Sequence, residues 1–555
     1  MTPYCLICKY KLFLNMKKTI AILLALYLAI GIADAQDFNS QLVDGQSCTS
    51  IMVGKKASTD GSVITSHTCD GRYRTWMTVE PALDHKAGAV HVVRKGTMHT
   101  AFRDDTTGVR EVGTIPQVRH TYAYLNTAYP CLNEKQLAIG ETTFGGPDTL
   151  VNKNGMFLIE ELERVALMRC DNARDAIRLI GRLVKEYGYG DGGECITIAD
   201  RNEVWQMEIL GEGPDRIGGV WAAQRIPDDH VGVSANIPRI GRLQRDNPNY
   251  FMCSDNIEQV ARRYGLWDGK DEFVFWKAFN ASYANGKNFR EREFYILNAL
   301  APSLGLSMEM SELPFSVKPD QNVDVTDVMQ LLRSTYEGSD MDMCRNIKAV
   351  TKRRLKDGTI VNDTVISPIA NPWMGGNMQS TLNLLQPGTV EFRRTVSVAW
   401  CSYSFVAQLR DWLPDEVGGV CWMAVDNPGQ SPRVPIFCGN SRLPQAYSIC
   451  GHKKYDENAV LWQYRKANKL ATVAWQRTKE TMMKEVLNQE QQAINGLKDL
   501  ENSIKGLKAR ESDEFDPAAQ ISSLLNDYTF RVYDNTTYAW RQLEARFWQM
   551  FGSGF

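Results

Sequence analysis

Cys48-Thr49-Ser50-Ile51-Met52-Val53-Gly54-Lys55-Lys56-Ala57-Ser58-Thr59-Asp60-Gly61-Ser62-Val63-Ile64-Thr65-Ser66 is the stretch that decides the fold. Cys48–Gly54 reads as a strand. Asp60-Gly61 is a strong hairpin turn signal, and Ser62–Ser66 reads as the returning strand. The segment before it, Gln36 to Ser47, is short, polar and without an apolar period, so it reads as a linker or propeptide.

Further toward the N-terminus, Lys17 and Lys18 precede an apolar run from Ile20 to Ala33, and Ala33-Asp34-Ala35 follows before Gln36. That is the basic, apolar, A-x-A order of a secretory signal peptide. The apolar run is shorter than the roughly 20 residues a membrane span needs, which disfavours a retained anchor. Met16 stands directly before the lysines, so residues 1–15 read as an upstream extension and 1–35 as the removed leader. No stable membrane span is expected after its removal. A secreted or periplasmic protein follows as the expectation.

Composition narrows the class. Hydrophobic residues make up 43% of the 555 residues and charged ones 23%, enough apolar content for a sizeable core. The 63 basic and 65 acidic residues leave a net charge of -2, which argues against a nucleic-acid binder. The 13 cysteines are too few for a disulfide scaffold in a chain of this length, and their number is odd. Cys5 and Cys8 precede the apolar run and would leave with it. Export permits disulfides, but no pairing can be read from the sequence.

Downstream, strand patterns recur at Ala89–Val93, His120–Leu125, Cys195–Ala199, Val204–Ile209, His230–Ala235, Val396–Ser404 and Gly419–Val425. Helical periodicity marks Glu160–Met168, Asn172–Tyr187 and Asp255–Tyr264. From about Asp456 to Lys508 the chain is rich in Lys, Glu, Gln and Leu, lacks Pro, and reads as one or two long amphipathic helices. These either pack on the core or form a dimerisation coiled coil, so a homo-oligomer stays open.

The usual phosphate, zinc and calcium motifs are missing, as is a G-x-S-x-G elbow. What remains is Cys48. Were it the first residue of a processed chain, its thiol would be a nucleophile and its own α-amine the base. A free α-amine has a pKa of about 7.7–8.0, suited to proton transfer near neutral pH. A buried structural cysteine is the competing reading.

The stretch Cys48–Ser62 resembles the mature start of the C69 family dipeptidases. These are N-terminal nucleophile hydrolases, more distantly related to choloylglycine hydrolases and penicillin V acylase. The resemblance continues through Gly140-Glu141-Thr142-Thr143, Val231-Gly232-Val233-Ser234-Ala235-Asn236, Leu331–Gly338 and Gly418-Gly419-Val420-Cys421-Trp422, spanning roughly Cys48 to Asn440. It implies an α+β fold of four αββα layers, with residues 36–47 as propeptide, 48–450 as the catalytic domain and 451–555 as a helical C-terminal region.

It also implies roles. Cys48 is the nucleophile, Asp70 orients its ammonium or amine, and Asn236 donates to the oxyanion. An Asp opening the Asp70-Gly71 turn and an Asn in a turn before Pro238 are the plain structural alternatives. The family commonly carries an arginine three residues before the aspartate, where this chain has His67. That departure makes His67 an alternative base or a substrate-binding group. Glu141 and Arg239 are further substrate-binding candidates, and surface or core pairing is the competing reading for both. No metal or organic cofactor is implied, and the partners expected are small peptide substrates. The alternatives are an amidase acting on N-acyl amino acids or conjugated bile acids, and a catalytically inactive binding or surface protein that keeps the fold.

Overall fold

Val63–Asp70 is the middle strand of a seven-stranded sheet, and every one of its eight residues is buried although five are polar. The computed structural model describes residues 47–280 and 287–552. The leader, Cys5, Cys8 and residues 36–46 lie outside them. The architecture is α+β, with two large sheets. One has seven strands in the order Ser316–Val317, Val231–Ser234, Ser50–Val53, Val63–Asp70, Cys401–Leu409, Gly419–Val425 and Val434–Phe437. The other has eight, in the order Phe251–Cys253, Gly219–Arg225, Val204–Gly211, Gly193–Ala199, Ala138–Phe144, Leu132–Asn133, Tyr124–Asn126 and Thr78–Glu80.

The expected hairpin is present, with Gly61 in the left-handed region at φ 85° and Asp60 Oδ1 accepting from the Ser62 N–H at 2.9 Å. Its two strands diverge after the Val53–Ile64 pair, and Ser50–Val53 takes its full ladder from Val231–Ser234 instead. Hydroxyls fill the gap. Ser66 Oγ accepts from the Ile51 N–H at 2.8 Å and Thr68 Oγ1 from the Thr49 N–H at 2.9 Å. Two hydroxyls of this fully buried strand are thereby satisfied, which burial demands.

The two sheets meet through further hydroxyl pairs. Thr65 Oγ1 lies 2.8 Å from Thr197 Oγ1, and Thr142 Oγ1 lies 2.6 Å from Ser234 Oγ. Gly140 permits this approach, since a Cβ there would sit 2.9 Å from both the Ser66 carbonyl and Thr197 Oγ1. Alternation along Gly193–Ala199 then turns Ile196 and Ile198 away from the facing sheet. They are buried in the same core as Ala176, Ile180 and Val184 of the helix Ala173–Tyr187. Asn172 caps that helix by accepting from the Asp175 N–H at 2.9 Å.

The C-terminal stretch contains three helices where one or two were expected: Val460–Val473, Trp475–Asn495 and Leu497–Lys508. Ala474 adopts a non-helical φ of -141° and ψ of 62°, which ends the first helix. A fourth, Ala518–Phe551, lies on the seven-stranded sheet, where Thr529 donates to the Pro435 carbonyl at 2.8 Å. Its Trp540 donates to Asn468 Oδ1 at 2.9 Å, tying it to Val460–Val473.

Two other expectations shift. The late strand is Cys401–Leu409 rather than Val396–Ser404, because the preceding residues bond sideways, with the Ser397 N–H donating to the Ser334 carbonyl at 2.9 Å. The single strand expected at His120–Leu125 splits in two, because the Tyr122 N–H leaves the ladder for the Met168 carbonyl. All eleven cysteines from Cys48 to Cys450 are free thiols. Among the described residues no helix is long and apolar enough to cross a membrane.

One buried acid predicts how stability follows pH. Glu160, in the first turn of the helix Ile159–Arg169, has its carboxyl pushed up to about 8 by burial and by Asp191. In the unfolded chain the same group titrates at about 4.3. The folded state therefore holds a proton that the unfolded state has lost, and this contribution to stability falls as pH rises toward about 8. The melting temperature is expected to drop between about pH 5 and about pH 8, with a shallower slope in Glu160→Gln. An unchanged slope in that variant rejects the assignment.

Candidate active site

Cys48 stands two residues before the strand Ser50–Val53 and is buried. Its backbone N–H donates to Asn236 Oδ1 at 2.9 Å, and its thiol donates to Glu141 Oε1 at 3.3 Å. Asn236 follows the strand Val231–Ser234, the ladder partner of the Cys48 strand, so one pairing register brings the two together. Its backbone is left-handed at φ 63°, a conformation that asparagine tolerates better than most residues. Its side-chain N–H donates to the Thr143 carbonyl at 2.5 Å.

Arg292, on the helix Lys287–Leu300, fixes this arrangement. It donates to the Cys48 carbonyl at 2.5 Å, Thr49 Oγ1 at 3.0 Å, the Ala235 carbonyl at 2.8 Å and Asn236 Oδ1 at 2.8 Å. A guanidinium has only donors, so the oxygen of the Asn236 amide must face it and the Cys48 nitrogen. Burial, aided by the neighbouring Arg394, pushes Arg292 down to about 9.

Asp70 ends the strand Val63–Asp70. Its Oδ2 accepts from Thr68 Oγ1 at 3.0 Å and from the Arg394 guanidinium at 2.6 Å. The same guanidinium donates to the Ser47 carbonyl at 3.0 Å and to Ser47 Oγ at 2.8 Å. Arg394 thus grips the carbonyl of the Ser47–Cys48 peptide bond and the carboxylate of Asp70 at once.

His67 lies on the same central strand, with Nε2 3.2 Å from Glu141 Oε1 and both side chains fully buried. The rings of Tyr129, Tyr403 and Phe405 stand edge-on around it. Cys48, His67 and Glu141 place a thiol, a ring nitrogen and a carboxylate oxygen within 4.8 Å of one another. Burial first, then the Glu141 charge, pushes the Cys48 thiol well above its ordinary range, outweighing the Asp70 backbone N–H that favours the thiolate. In the chain with Ser47 still attached, the thiol is therefore protonated.

Five of the six residues picked out in the sequence converge here: Cys48, His67, Asp70, Glu141 and Asn236. Arg239 is engaged otherwise. It pairs with Glu293 and donates to the Leu313 and Pro314 carbonyls at 2.7 Å each. Because Glu293 neighbours Arg292, this pair braces the helix that carries Arg292. Arg292 and Arg394 were missed. Nothing local marks either, since Arg292 stands 244 residues from Cys48 and Arg394 stands 324 from Asp70. They bring the positive charge that position 67 lacks.

The model of Peptidase family C69 matches residues 47–488, beginning one residue before Cys48. Among curated proteins, a probable dipeptidase of Latilactobacillus sakei is 27% identical over 75% of this chain and 79% of its own length. The probable dipeptidase B of Streptococcus pyogenes serotype M1 is 24% identical over 76% and 78% respectively. That of Lactococcus lactis subsp. lactis is 26% identical over 75% and 79%. The resemblance carried by Cys48–Ser62 and the later blocks is thus borne out over most of the chain, which belongs to peptidase family C69.

Proposed function

We propose that the protein is an exported cysteine dipeptidase whose nucleophile is Cys48, made N-terminal by removal of the residues before it. One observation carries this. The Cys48 nitrogen and thiol already occupy the centre of a buried constellation, with Asn236, Glu141, Arg292 and, through Arg394, Asp70 around them. The two facing sheets, with helices against each, support a four-layer αββα fold of the N-terminal nucleophile hydrolase kind.

The reaction then runs as follows. The freed α-amine of Cys48 takes the thiol proton as sulfur attacks the peptide carbonyl, and the C–S bond forms as the carbonyl π-bond opens. Asn236 and a backbone N–H stabilise the oxyanion. Collapse breaks the C–N bond, and the ammonium of Cys48 returns its proton to the departing amine. Water then attacks the thioester with the same amine as base, releasing the acid and restoring the thiol. Asp70 acts through Arg394 and Thr68, holding the segment around Cys48 in register. Loss of Ser47 releases Arg394 from the Ser47 carbonyl and Oγ, leaving an anchoring cation for a substrate carboxylate or carbonyl.

The relatives named dipeptidases support the substrate class. Purified processed enzyme assayed on dipeptides, longer peptides, N-acyl amino acids and conjugated bile acids tests it. Preference for free-amine dipeptides is expected. Hydrolysis of the acylated compounds alone overturns the dipeptidase reading in favour of an amidase.

A further inference from the structure

The presence of histidine at position 67 gives the nucleophile a second set of neighbours. A thiol, an imidazole and a carboxylate converge, all three fully or almost fully buried. Neither ring nitrogen of His67 has a hydrogen-bond partner among the described residues, and Glu141 Oε2 has none either. Buried polar atoms are rarely left so, and each exception calls for a cause. His67 Nε2 stands 3.2 Å from Glu141 Oε1, at ion-pair distance but without hydrogen-bond geometry, and the Cys48 thiol donates to the same oxygen at 3.3 Å.

Those separations match the edges of a metal's coordination sphere. With Zn–S of about 2.3 Å, Zn–N of about 2.0–2.1 Å and Zn–O of about 2.0–2.2 Å at tetrahedral angles, the donors would lie about 3.6 Å (S to O) and about 3.4 Å (N to O) apart. The two edges to Glu141 Oε1 need adjustment by only a few tenths of an ångström, and the third, from sulfur to the ring nitrogen, lies within 4.8 Å against about 3.6 Å at such a centre. Thiolate, imidazole and carboxylate together suit a borderline-soft divalent ion, whereas calcium and magnesium call for oxygen alone. An arginine at position 67 would exclude a cation from this space by charge and by bulk.

We propose that Cys48, His67 and Glu141 form a binding site for a zinc-class divalent cation, which silences the nucleophile while bound. Binding displaces the thiol proton to solvent and forms an S–metal bond, so the sulfur pair that would attack a peptide carbonyl is engaged. The inhibitory consequence rests on the proposed role of Cys48; the site itself does not.

Cobalt is the probe, added to the processed full chain after treatment with chelator. One equivalent is expected to bind with thiolate-to-cobalt charge-transfer absorption in the near ultraviolet. Cys48→Ala should abolish that absorption. His67→Gln should weaken binding by more than about 100-fold, since even an outer-shell partner is worth about 10–100-fold. Cys253→Ser serves as the control for the other thiols and should bind like the parent. In parallel, zinc should suppress dipeptide hydrolysis and chelator should restore it. Absence of stoichiometric cobalt binding overturns the site, as does binding that survives both Cys48→Ala and His67→Gln. Activity on dipeptides without cobalt binding refutes this inference alone. Cobalt binding in a chain that hydrolyses nothing when metal-free refutes the dipeptidase reading and leaves the site standing.

Discussion

Cys48→Ala is expected to lower the turnover of dipeptides by a factor on the order of 10⁴–10⁶, the scale seen when a hydrolase loses its nucleophile. The thiol is the only group at this position that can form the acyl-enzyme. Cys48→Ser should fare nearly as badly, because the neighbours that tune a thiol do little for a far less acidic hydroxyl, and it is expected to slow processing as well. Steady-state kinetics of both variants against the parent measure this. Cys253→Ser, at a half-buried strand edge beside Arg245, should leave kcat/KM unchanged. Equal activity in Cys48→Ala and the parent rejects the assignment. Cys401 is a poor control, since its buried thiol donates to the Tyr403 carbonyl at 3.1 Å and its residue pairs with Asp70 in the sheet.

Asn236→Ala is expected to cost about 10²–10³ in kcat, the usual loss for one oxyanion donor, with a smaller change in KM. The residue does two jobs. Its Oδ1 accepts from the Cys48 N–H and its Nδ2 donates to the Thr143 carbonyl, and the proposed mechanism uses the second Nδ2 hydrogen for the oxyanion. Alanine at φ 63° also carries backbone strain, so Asn236→Gly is the companion variant. Glycine keeps the left-handed backbone and lacks the amide. A loss in kcat as large with glycine as with alanine attributes the effect to the amide. Recovery of activity in Asn236→Gly attributes it to the backbone and removes Asn236 from the oxyanion site.

Much of this was legible in the sequence where the signal is local. Asp60-Gly61 between two alternating runs marks a hairpin, because few residues besides glycine fit a positive φ. The family resemblance begins on that same stretch, and it singled out Cys48, Asp70, Glu141 and Asn236. The strand Gly419–Val425 is local in the same way: a continuous apolar run without breakers. Legibility ended where contacts are long-range. Arg292 is one basic residue among several on its helix, and only the folded register shows that its guanidinium binds Cys48 and Asn236. Arg394 reaches Asp70 from 324 residues away. Val396–Ser404 misled because its apolar alternation sits where side chains and loops claim the backbone before the ladder starts at Cys401. Arg239, close in sequence to Asn236, is drawn off by Glu293, a buried pairing that no spacing rule announces.

The convergence at Cys48 also sharpens the meaning of His67. In sequence it was a missing arginine. In the structure it is a ring enclosed by aromatic edges, beside Glu141, with positive charge supplied by Arg292 and Arg394 instead. Both guanidiniums stand at Cys48, Arg292 on the Cys48 carbonyl and Arg394 on the carbonyl just before it.

The most direct test of the account is the N-terminal residue of the active exported protein, read by intact mass and terminal sequencing. The account predicts a chain that begins at Cys48, and an inactive precursor that still carries Ser47. A fully active chain beginning at Gln36 would contradict it, because the α-amine that serves as base would then be locked in a peptide bond.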